Sequence, residues 1–184
     1  MLISTDLLKA ALYCASSEET RYYLRGVHLA TSGHMVTTDG HRLFCAKLSE
    51  AVSQDVIIPI ETVKAALKLA PKKAETIELN GNTFGGVVFT PVDGTFPDWR
   101  RVIPPAEGFK PAEGQAHFNP DYIYDLGQMA RALGSKSGCG FRMHAWDKES
   151  PHGVTFGRSD CFAVIMPMRQ QSEMTSWADA RAIA

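Results

Sequence analysis

Helical patterns recur along this chain at a nearly constant interval, and that repeat limits what the chain can fold into. They begin near residues 5, 60 and 120, about 55 to 60 residues apart, and short runs of strand character follow each one. Each repeat therefore predicts a unit of one strand, one helix and three further strands. A unit with a one-sided apolar helix leaves an apolar face uncovered, so the units are expected to pack together in an α+β fold.

Local signals at the helix ends support these units. Pro59 and Pro71 bracket the second helix, because proline suits a first turn and breaks a helix interior. The third helix has the clearest start, with Asn119 as its N-cap and Pro120 at the first helical position. Gly134 is expected to end it.

Composition limits the class of protein. A length of 184 residues suits one large or two small domains, and a net charge of −1 excludes a uniformly basic nucleic-acid coat but leaves room for a basic stripe. The four cysteines form no CxxC pair, so buried free thiols in a reducing, cytoplasmic location are expected. The N-terminus lacks the pattern of a signal peptide, and no apolar run is long enough to span a membrane. No metal or organic cofactor is predicted.

Three segments carry the functional interpretation: TDGHRL at residues 38–43, DGTFPDWRRV at residues 93–102 and AVIMPMR at residues 163–169. The first and last read as two halves of one apolar groove with arginine at its rim. Together, and in this order, the three segments resemble the bacterial DNA sliding clamp family, the beta subunit of DNA polymerase III. The order makes the resemblance specific, since each segment alone is a weak signal.

The resemblance implies a DNA-clamp fold built from three βαβββ-type units, one complete clamp domain plus one half domain. Residues 1–104 resemble the family's middle domain, with units at 1–50 and 55–104. A Pro- and Gly-rich linker at 105–114 leads to residues 115–169, which resemble the second half of the last domain, and a tail follows at 170–184. The family's first domain and the first half of its last domain have no counterpart.

The resemblance also implies a function without catalysis. A clamp-like processivity factor would bind duplex DNA without sequence specificity and tether replication proteins, a DNA polymerase and clamp-loader-type proteins among them, through its groove. A ring of the family contains twelve units. If each chain supplies three units, four copies are needed, and the chain is therefore expected to form a homo-oligomer, a homotetrameric ring.

The family's site residues carry over position by position. Apolar and methionine side chains would form an adaptable floor for the Leu or Phe anchors of a clamp-binding peptide, and arginines would hold its polar groups. The predicted peptide-binding groove consists of Leu24, Thr38, Gly40, His41, Arg42, Leu43, Pro97, Arg101, Val102, Tyr122, Val164, Ile165, Met166, Pro167, Met168 and Arg169. The predicted DNA-binding residues are Lys9, Arg21, Lys64, Lys68, Lys72, Lys73, Arg131 and Lys136, with Lys64, Lys68 and Lys72 at four-residue spacing on the second helix.

Plainer interpretations stay open beside these. Asp39-Gly40 alone is a common hairpin turn, the Met166 and Met168 pair is as consistent with a core as with a groove, and a lysine stripe is most often a solvated helix face. The acidic start of the third helix favours an alternative function. In that alternative, the chain is a clamp-like decoy or regulator that binds clamp-interacting peptides or a clamp subunit without encircling DNA. An enzyme is a distant third, because no paired carboxylates, triad or metal cluster occurs at a useful spacing.

Overall fold

Two antiparallel sheets, with helices on one face of the larger sheet, make up the architecture. The structure is a computed structural model that describes residues 1–104, 116–134, 140–144 and 148–169. The helices are α1 Thr5–Ala11, α2 Ile60–Leu69 and α3 Pro120–Ala132, and 3-10 turns occur at Leu12–Cys14, Tyr22–Leu24 and Trp99–Val102. The strands are β1 Leu2–Ser4, β2 Gly26–Ala30, β3 His34–Thr38, β4 Arg42–Lys47, β5 Val56–Pro59, β6 Thr76–Asn80, β7 Thr83–Phe84, β8 Val87–Val88, β9 Phe141–His144, β10 His152–Phe156 and β11 Cys161–Ile165.

The end signals of α3 are confirmed. The Asn119 side chain accepts a hydrogen bond from the Asp121 N–H at 2.9 Å, Pro120 occupies the first turn, and Gly134 follows the helix at a φ of 83°. The first helix is short, because α1 gives way to a 3-10 turn at Leu12.

The first two units exchange their leading strands. β1 precedes α1 but pairs with β6 after α2, whereas β5 precedes α2 but pairs with β2 after α1. The residue two places before each helix faces the shared core in both pairs: Ile3 lies opposite Ile77, and Ile58 lies opposite Val27. The two units therefore complete each other, as the need to cover their apolar faces requires.

The third unit joins the first through its last strand. β11 pairs with β4 in antiparallel register, with Ala163 opposite Phe44, so the larger sheet has the order β5-β2-β3-β4-β11-β10-β9. The smaller sheet has the order β1-β6-β7-β8. This pairing brings together segments about 120 residues apart in the chain.

The centre of the larger sheet, β2, β3 and β4, is buried on both faces. One face packs against the helices through residues such as Leu29, Phe44 and Ala163, which belong to the main core. The other face carries Leu43 and Val164 in a smaller cluster with Leu24, Phe96 and Trp99. Strand residues alternate between the faces, so neighbours in sequence serve different cores.

The segment at 83–90 forms two short strands, because Gly85 and Gly86 adopt φ values of 56° and 83° and turn the chain between them. Cys14, Cys45 and Cys161 are buried free thiols, as predicted, while Cys139 lies outside the described residues. The proposed linker at 105–114 and the tail at 170–184 also lie outside them.

Within the ranges that the structure covers, none of the helices has the length and apolar character needed to cross a membrane.

Candidate functional site

A cavity of about 370 Å³ opens on the face of the larger sheet that lies away from the helices. It sits where the first and third units meet at the β4–β11 pair. Its apolar wall comes mainly from Leu24, Leu43, Val102 and Val164. The full lining consists of Arg21, Tyr23, Leu24, Thr38, Gly40, His41, Arg42, Leu43, Pro97, Asp98, Trp99, Val102, Val164 and Met166.

The turn between β3 and β4 forms one corner of this cavity and is held rigidly by its own side chains. The Asp39 carboxylate accepts hydrogen bonds from the backbone N–H groups of His41 at 2.8 Å and Arg42 at 2.7 Å. Thr38 donates its hydroxyl to the Arg42 carbonyl at 2.7 Å and accepts from the Gly40 N–H at 3.0 Å. Such side-chain bonds to nearby backbone fix a turn. The residues at 38–43 are thus both a turn, the plain interpretation, and part of a cavity wall.

The backbone conformation at this corner favours glycine at position 40, and a side chain there would displace Arg21. The Gly40 φ of 90° lies in the left-handed region that side chains disfavour. A Cβ added there would also collide with the guanidinium of Arg21, which lies across the turn and forms a 2.8 Å ion pair with Glu18. Glycine therefore lets Arg21 close this side of the cavity.

Arg42 ties the turn to the third unit. Its guanidinium bonds to Asp39 Oδ2 at 2.9 and 3.0 Å and to Asp125 Oδ2 of α3 at 2.5 Å, and its Cζ lies 4.1 Å from the ring centroid of Tyr122. Burial disfavours the charge, but the hydrogen bonds to Asp125 and Asp39 outweigh that effect and raise the Arg42 pKa above its ordinary value. Burial, with help from Asp39, also raises the pKa of the Tyr122 phenol.

The segment after β11 forms the opposite wall. The Met166 N–H donates to the His41 carbonyl at 2.9 Å, so this segment continues alongside the turn. The His41 and Tyr122 rings stack with their centroids 6.0 Å apart. Main-chain and side-chain contacts therefore hold both walls at a fixed spacing.

A second cavity of about 590 Å³ lies next to the first and shares Met166 with it. It is lined by His117, Lys148, Glu149, Met166, Pro167, Met168 and Arg169. The Met168 N–H donates to the His117 carbonyl, which holds the floor of this cavity against the strand-like segment before α3. Half of the Met168 surface is exposed. The two cavities together are hereafter called the groove: the first has a mainly apolar lining, and charged side chains contribute much of the lining of the second.

The structure brings most of the predicted groove residues to these two cavities. Three of them stand apart. Ile165 is fully buried in the main core against the helices, because it lies on the opposite face of β11 from Val164; its prediction as a lining residue is wrong. Tyr122 lies behind the wall and supports Arg42, and Arg101 is exposed and pairs with Asp98 at 3.1 Å.

Several lining residues were missed by the sequence prediction. Asp98 and Trp99 belong to the segment 93–102 that was singled out, and Tyr23 precedes the predicted Leu24, so their neighbours in sequence were the available signal. Trp99 packs its ring under the Arg100 guanidinium, 4.4 Å from its centroid. Lys148 and Glu149 follow a poorly patterned stretch and carried no signal.

The predicted basic residues fall into separate groups. Lys64 and Lys68 lie on the exposed face of α2, and Lys9 and Arg131 border one shallow cavity between α1 and α3. All four belong to the helix layer. Two of them have acidic neighbours: Lys64 lies 3.5 Å from Glu61, and Lys9 lies 3.8 Å from Asp6.

Other basic residues depart from the predicted stripe. Arg21 borders the groove, on the far side of the larger sheet from the helices, and so lies apart from the other predicted DNA-binding residues. Lys72 and Lys73 are exposed but lie beyond the end of α2 at Leu69, so the helical spacing of Lys72 does not apply. Lys136 lies outside the described residues.

Across the described segments, no group of three or more His, Cys, Asp or Glu side chains is arranged to hold a metal ion.

Sequence comparison identifies the family. Residues 4–98 match the model of the DNA polymerase III beta subunit, central domain. The beta sliding clamp of Caulobacter vibrioides is 36% identical over 117 residues, which cover 53% of this chain and 32% of that protein. The clamp of Escherichia coli K12 is 31% identical over 112 residues, with 53% and 31% covered. The chain thus spans about a third of the length of these curated relatives.

Structural comparison extends the likeness through the third unit. The Caulobacter crescentus beta sliding clamp superposes on 92% of this chain and 65% of its own, with a TM-score of 0.69 and 23% identity. The Bartonella birtlesii clamp, solved bound to griselimycin, gives a TM-score of 0.65 at 25% identity, covering 92% and 66%. The fold is therefore an α+β DNA-clamp fold that matches part of the full clamp structures, and the family is one of non-catalytic processivity factors. This chain belongs to the DNA polymerase III beta subunit family, the beta sliding clamps.

Proposed function

We propose that this chain is a non-enzymatic, sliding-clamp-like processivity factor that tethers replication proteins through the groove. The observation that carries the proposal is the groove itself: one channel is lined by both the turn before β4 and the segment after β11, which lie far apart in sequence. Its apolar floor suits the Leu or Phe anchors of an extended or partly helical peptide. Met166 and Met168 add side chains that adapt to different anchors.

The charged groups suggest how a bound peptide would be oriented. Arg42 is already engaged by Asp39 and Asp125, so its role is to hold the walls rather than to contact the peptide. Arg169 and Lys148, which line the second cavity, can receive carbonyl or carboxylate groups at the rim, whereas Arg21 beside the first cavity is paired with Glu18.

The proposed domain organisation follows the strand exchange. Residues 1–104, whose two units complete each other, form one whole clamp domain, and residues 116–169 form a half domain attached through β4 and β11. A ring of the family's size would then need four copies of the chain. The helix layer, with Lys64, Lys68, Lys9 and Arg131, would face duplex DNA and contact phosphates without reading bases.

Calorimetry with a polymerase-derived clamp-binding peptide tests the groove. Met166→Glu should abolish measurable binding, because a carboxylate would enter the floor shared by both cavities. Val88→Glu is the matched control, since Val88 is exposed on the edge of the smaller sheet, far from the groove, and its variant should bind like the wild type. Equal affinity of Met166→Glu and wild type, with circular dichroism unchanged, would refute the groove assignment.

A second function has one observation in its favour. Lys9 and Lys64 have acidic neighbours, and α3 begins with the exposed Asp121, so the helix layer is only weakly basic. This favours a decoy or regulator that captures clamp-binding peptides without encircling DNA. Retention on circular and linearised DNA separates the two: a closed ring stays on circles and slides off linear ends, whereas a decoy is retained on neither.

A further inference from the structure

The third unit lacks the strand that completes the other two. β2 and β6, the first strands after α1 and α2, each carry the leading strand of the other unit on their outer edge. β9 is the equivalent strand after α3. Among the described strands it pairs only with β10 and lies at the end of the larger sheet. By analogy with the other two units, a leading strand would pair with the outer backbone edge of Phe141–Met143.

The chain has no segment between its domains that could supply the missing partner unit. Eleven residues, 105–115, separate the second unit from the described start of the third, whereas each unit here occupies about 50 to 60 residues. Among the described residues, the leading segment of the third unit, at 116–119, pairs with no strand in this way; His117 makes only an isolated bridge to Met168. Both halves of an exchange, a donor and an acceptor, are therefore present on one surface.

We propose that this surface binds a second copy of the same chain. In that dimer, the segment before α3 of each copy pairs antiparallel with β9 of the other. Around a two-fold axis, the segment before α3 and the edge of β9 in each copy both gain a strand partner, which no single added strand could provide. Such an isologous contact is closed and forms a dimer rather than a longer polymer. The arrangement repeats between chains the exchange that β1 and β5 make within the chain.

The register follows from the two internal exchanges. In both, the residue two places before the helix lies opposite the first core-facing residue of the strand, as Ile3 does with Ile77. The corresponding residues of the third unit are Phe118 and Phe141, and both pack against the main core. Phe118 of one copy therefore lies opposite Phe141 of the other. His117 then lies opposite Arg142 on the outer face of the sheet.

Apolar surface supports a contact beyond the two added strands, which alone would be marginal. Phe141 and Met143 are only partly buried at the sheet end. On α3, Ile123 and Gly127 are half-buried and, at 100° per residue, lie on the side away from Gln128 and Ala132, which border α1. Two α3 helices would meet across the axis through this side, as α1 and α2 meet within the first domain.

Disulfide crosslinking of the full chain tests the register. A double variant, His117→Cys with Arg142→Cys, in a Cys139→Ser background that removes the adjacent thiol, should give a covalent dimer under mild oxidation. Both side chains lie toward the surface, so the fold should be kept, which thermal unfolding checks. A bond within one chain is not expected, because the two positions lie beside opposite ends of β10. Phe118 contacts His152 at the start of β10, whereas Arg142 pairs with Thr155 near its end, about 10 Å away along the strand.

Two controls fix the interpretation. His117→Cys with Met143→Cys places the second thiol on the opposite face of β9 and should not crosslink, and Arg142→Cys alone should not either. Sedimentation velocity of the unmodified chain at micromolar concentration should show reversible dimers or larger species that Val88→Glu leaves intact. A monomer in that experiment, or equal crosslinking by the double variant and its off-face control, would overturn the proposed contact. Either result leaves the groove proposal standing, because peptide binding is measured separately.

Discussion

Arg42 of β4 and Asp125 of α3, which are 83 residues apart in sequence, form a 2.5 Å ion pair that joins the first and third units. Only 9% of the Arg42 side chain and 26% of the Asp125 side chain are exposed. The same guanidinium holds Asp39 of the groove turn and stacks on Tyr122. The pair therefore links the position of α3 to the geometry of the groove.

Asp125→Ala should lower the stability of the protein and loosen the fixed geometry of the groove, because Arg42 connects the two. A charge-assisted hydrogen bond to a largely buried cation contributes about 1.5 to 3 kcal/mol to stability, and the loss in the variant should fall at or below that range because Asp39 still neutralises Arg42. Urea unfolding measures the change. Lys9→Ala, which breaks the exposed Lys9–Asp6 pair, is the control and should change stability by less than about 0.5 kcal/mol. Equal effects of the two variants would contradict the role assigned to Asp125.

Gly40→Ala should lower both stability and peptide affinity. A side chain at a φ of 90° costs about 1 kcal/mol or more, and the new Cβ would push Arg21 away from the turn. Gly157→Ala is the matched control, since Gly157 has no positive φ and nothing near its Cβ position, so its variant should be neutral or slightly more stable. Thermal unfolding and calorimetry give the two readouts. A Gly40→Ala protein with wild-type stability would show that the turn relaxes without cost.

The parts of this structure that the sequence predicted are those with local causes. Asn119 and Pro120 fix the start of α3 because capping and the proline ring act within one turn. The exchange of β1 and β5 and the β4–β11 pair came from no local signal, because antiparallel partners are chosen by tertiary packing. Local sequence patterns therefore indicate the repeated units, whereas the strand pairings between units depend on the tertiary fold.

The groove shows the same division. The residues at 38–43 and 163–169 were recognised through a resemblance, yet Ile165 was assigned to the groove although the alternation of strand side chains places it opposite Val164. Applying the two-residue period to β11 would have separated them. The Arg42–Asp125 ion pair could not be predicted from the sequence, because no local pattern near either residue indicates that the two lie close together in the fold.

Acid should weaken the fold through His28. This side chain is 5% exposed and stacks on Phe96 at 4.5 Å, and within the described part of the chain its buried Nδ1 finds no hydrogen-bond partner. Burial lowers the His28 pKa, Asp55 partly opposes that shift, and Arg100 adds to it. Unfolded His28 therefore binds a proton near pH 6.5 while the folded form stays neutral, so stability is lost as the pH falls from about 6.5 to the folded pKa.

His28→Gln isolates this contribution, because glutamine does not titrate. Urea unfolding of both proteins between about pH 7.5 and pH 5 should show a smaller loss of stability on acidification in the variant than in the wild type. The Asp55 carboxyl, whose pKa is lowered mainly by the Thr31 backbone N–H, titrates below this window and leaves the comparison clean. Parallel pH curves for the two proteins would show that His28 does not control the acid response.

The salt dependence of DNA binding should identify the helix layer as the DNA-facing surface. Replacing Lys64 and Lys68 on α2 with alanine removes two exposed cations at helical spacing. If both contact phosphates, affinity for duplex DNA falls for every sequence, and the slope of log K against log salt flattens by about 0.9 per lost contact. Lys47→Ala is the control, because Lys47 ends β4 on the sheet and is exposed. Its variant should keep the wild-type slope. If the double variant keeps that slope too, α2 does not face the phosphates, and the decoy function gains weight over the ring.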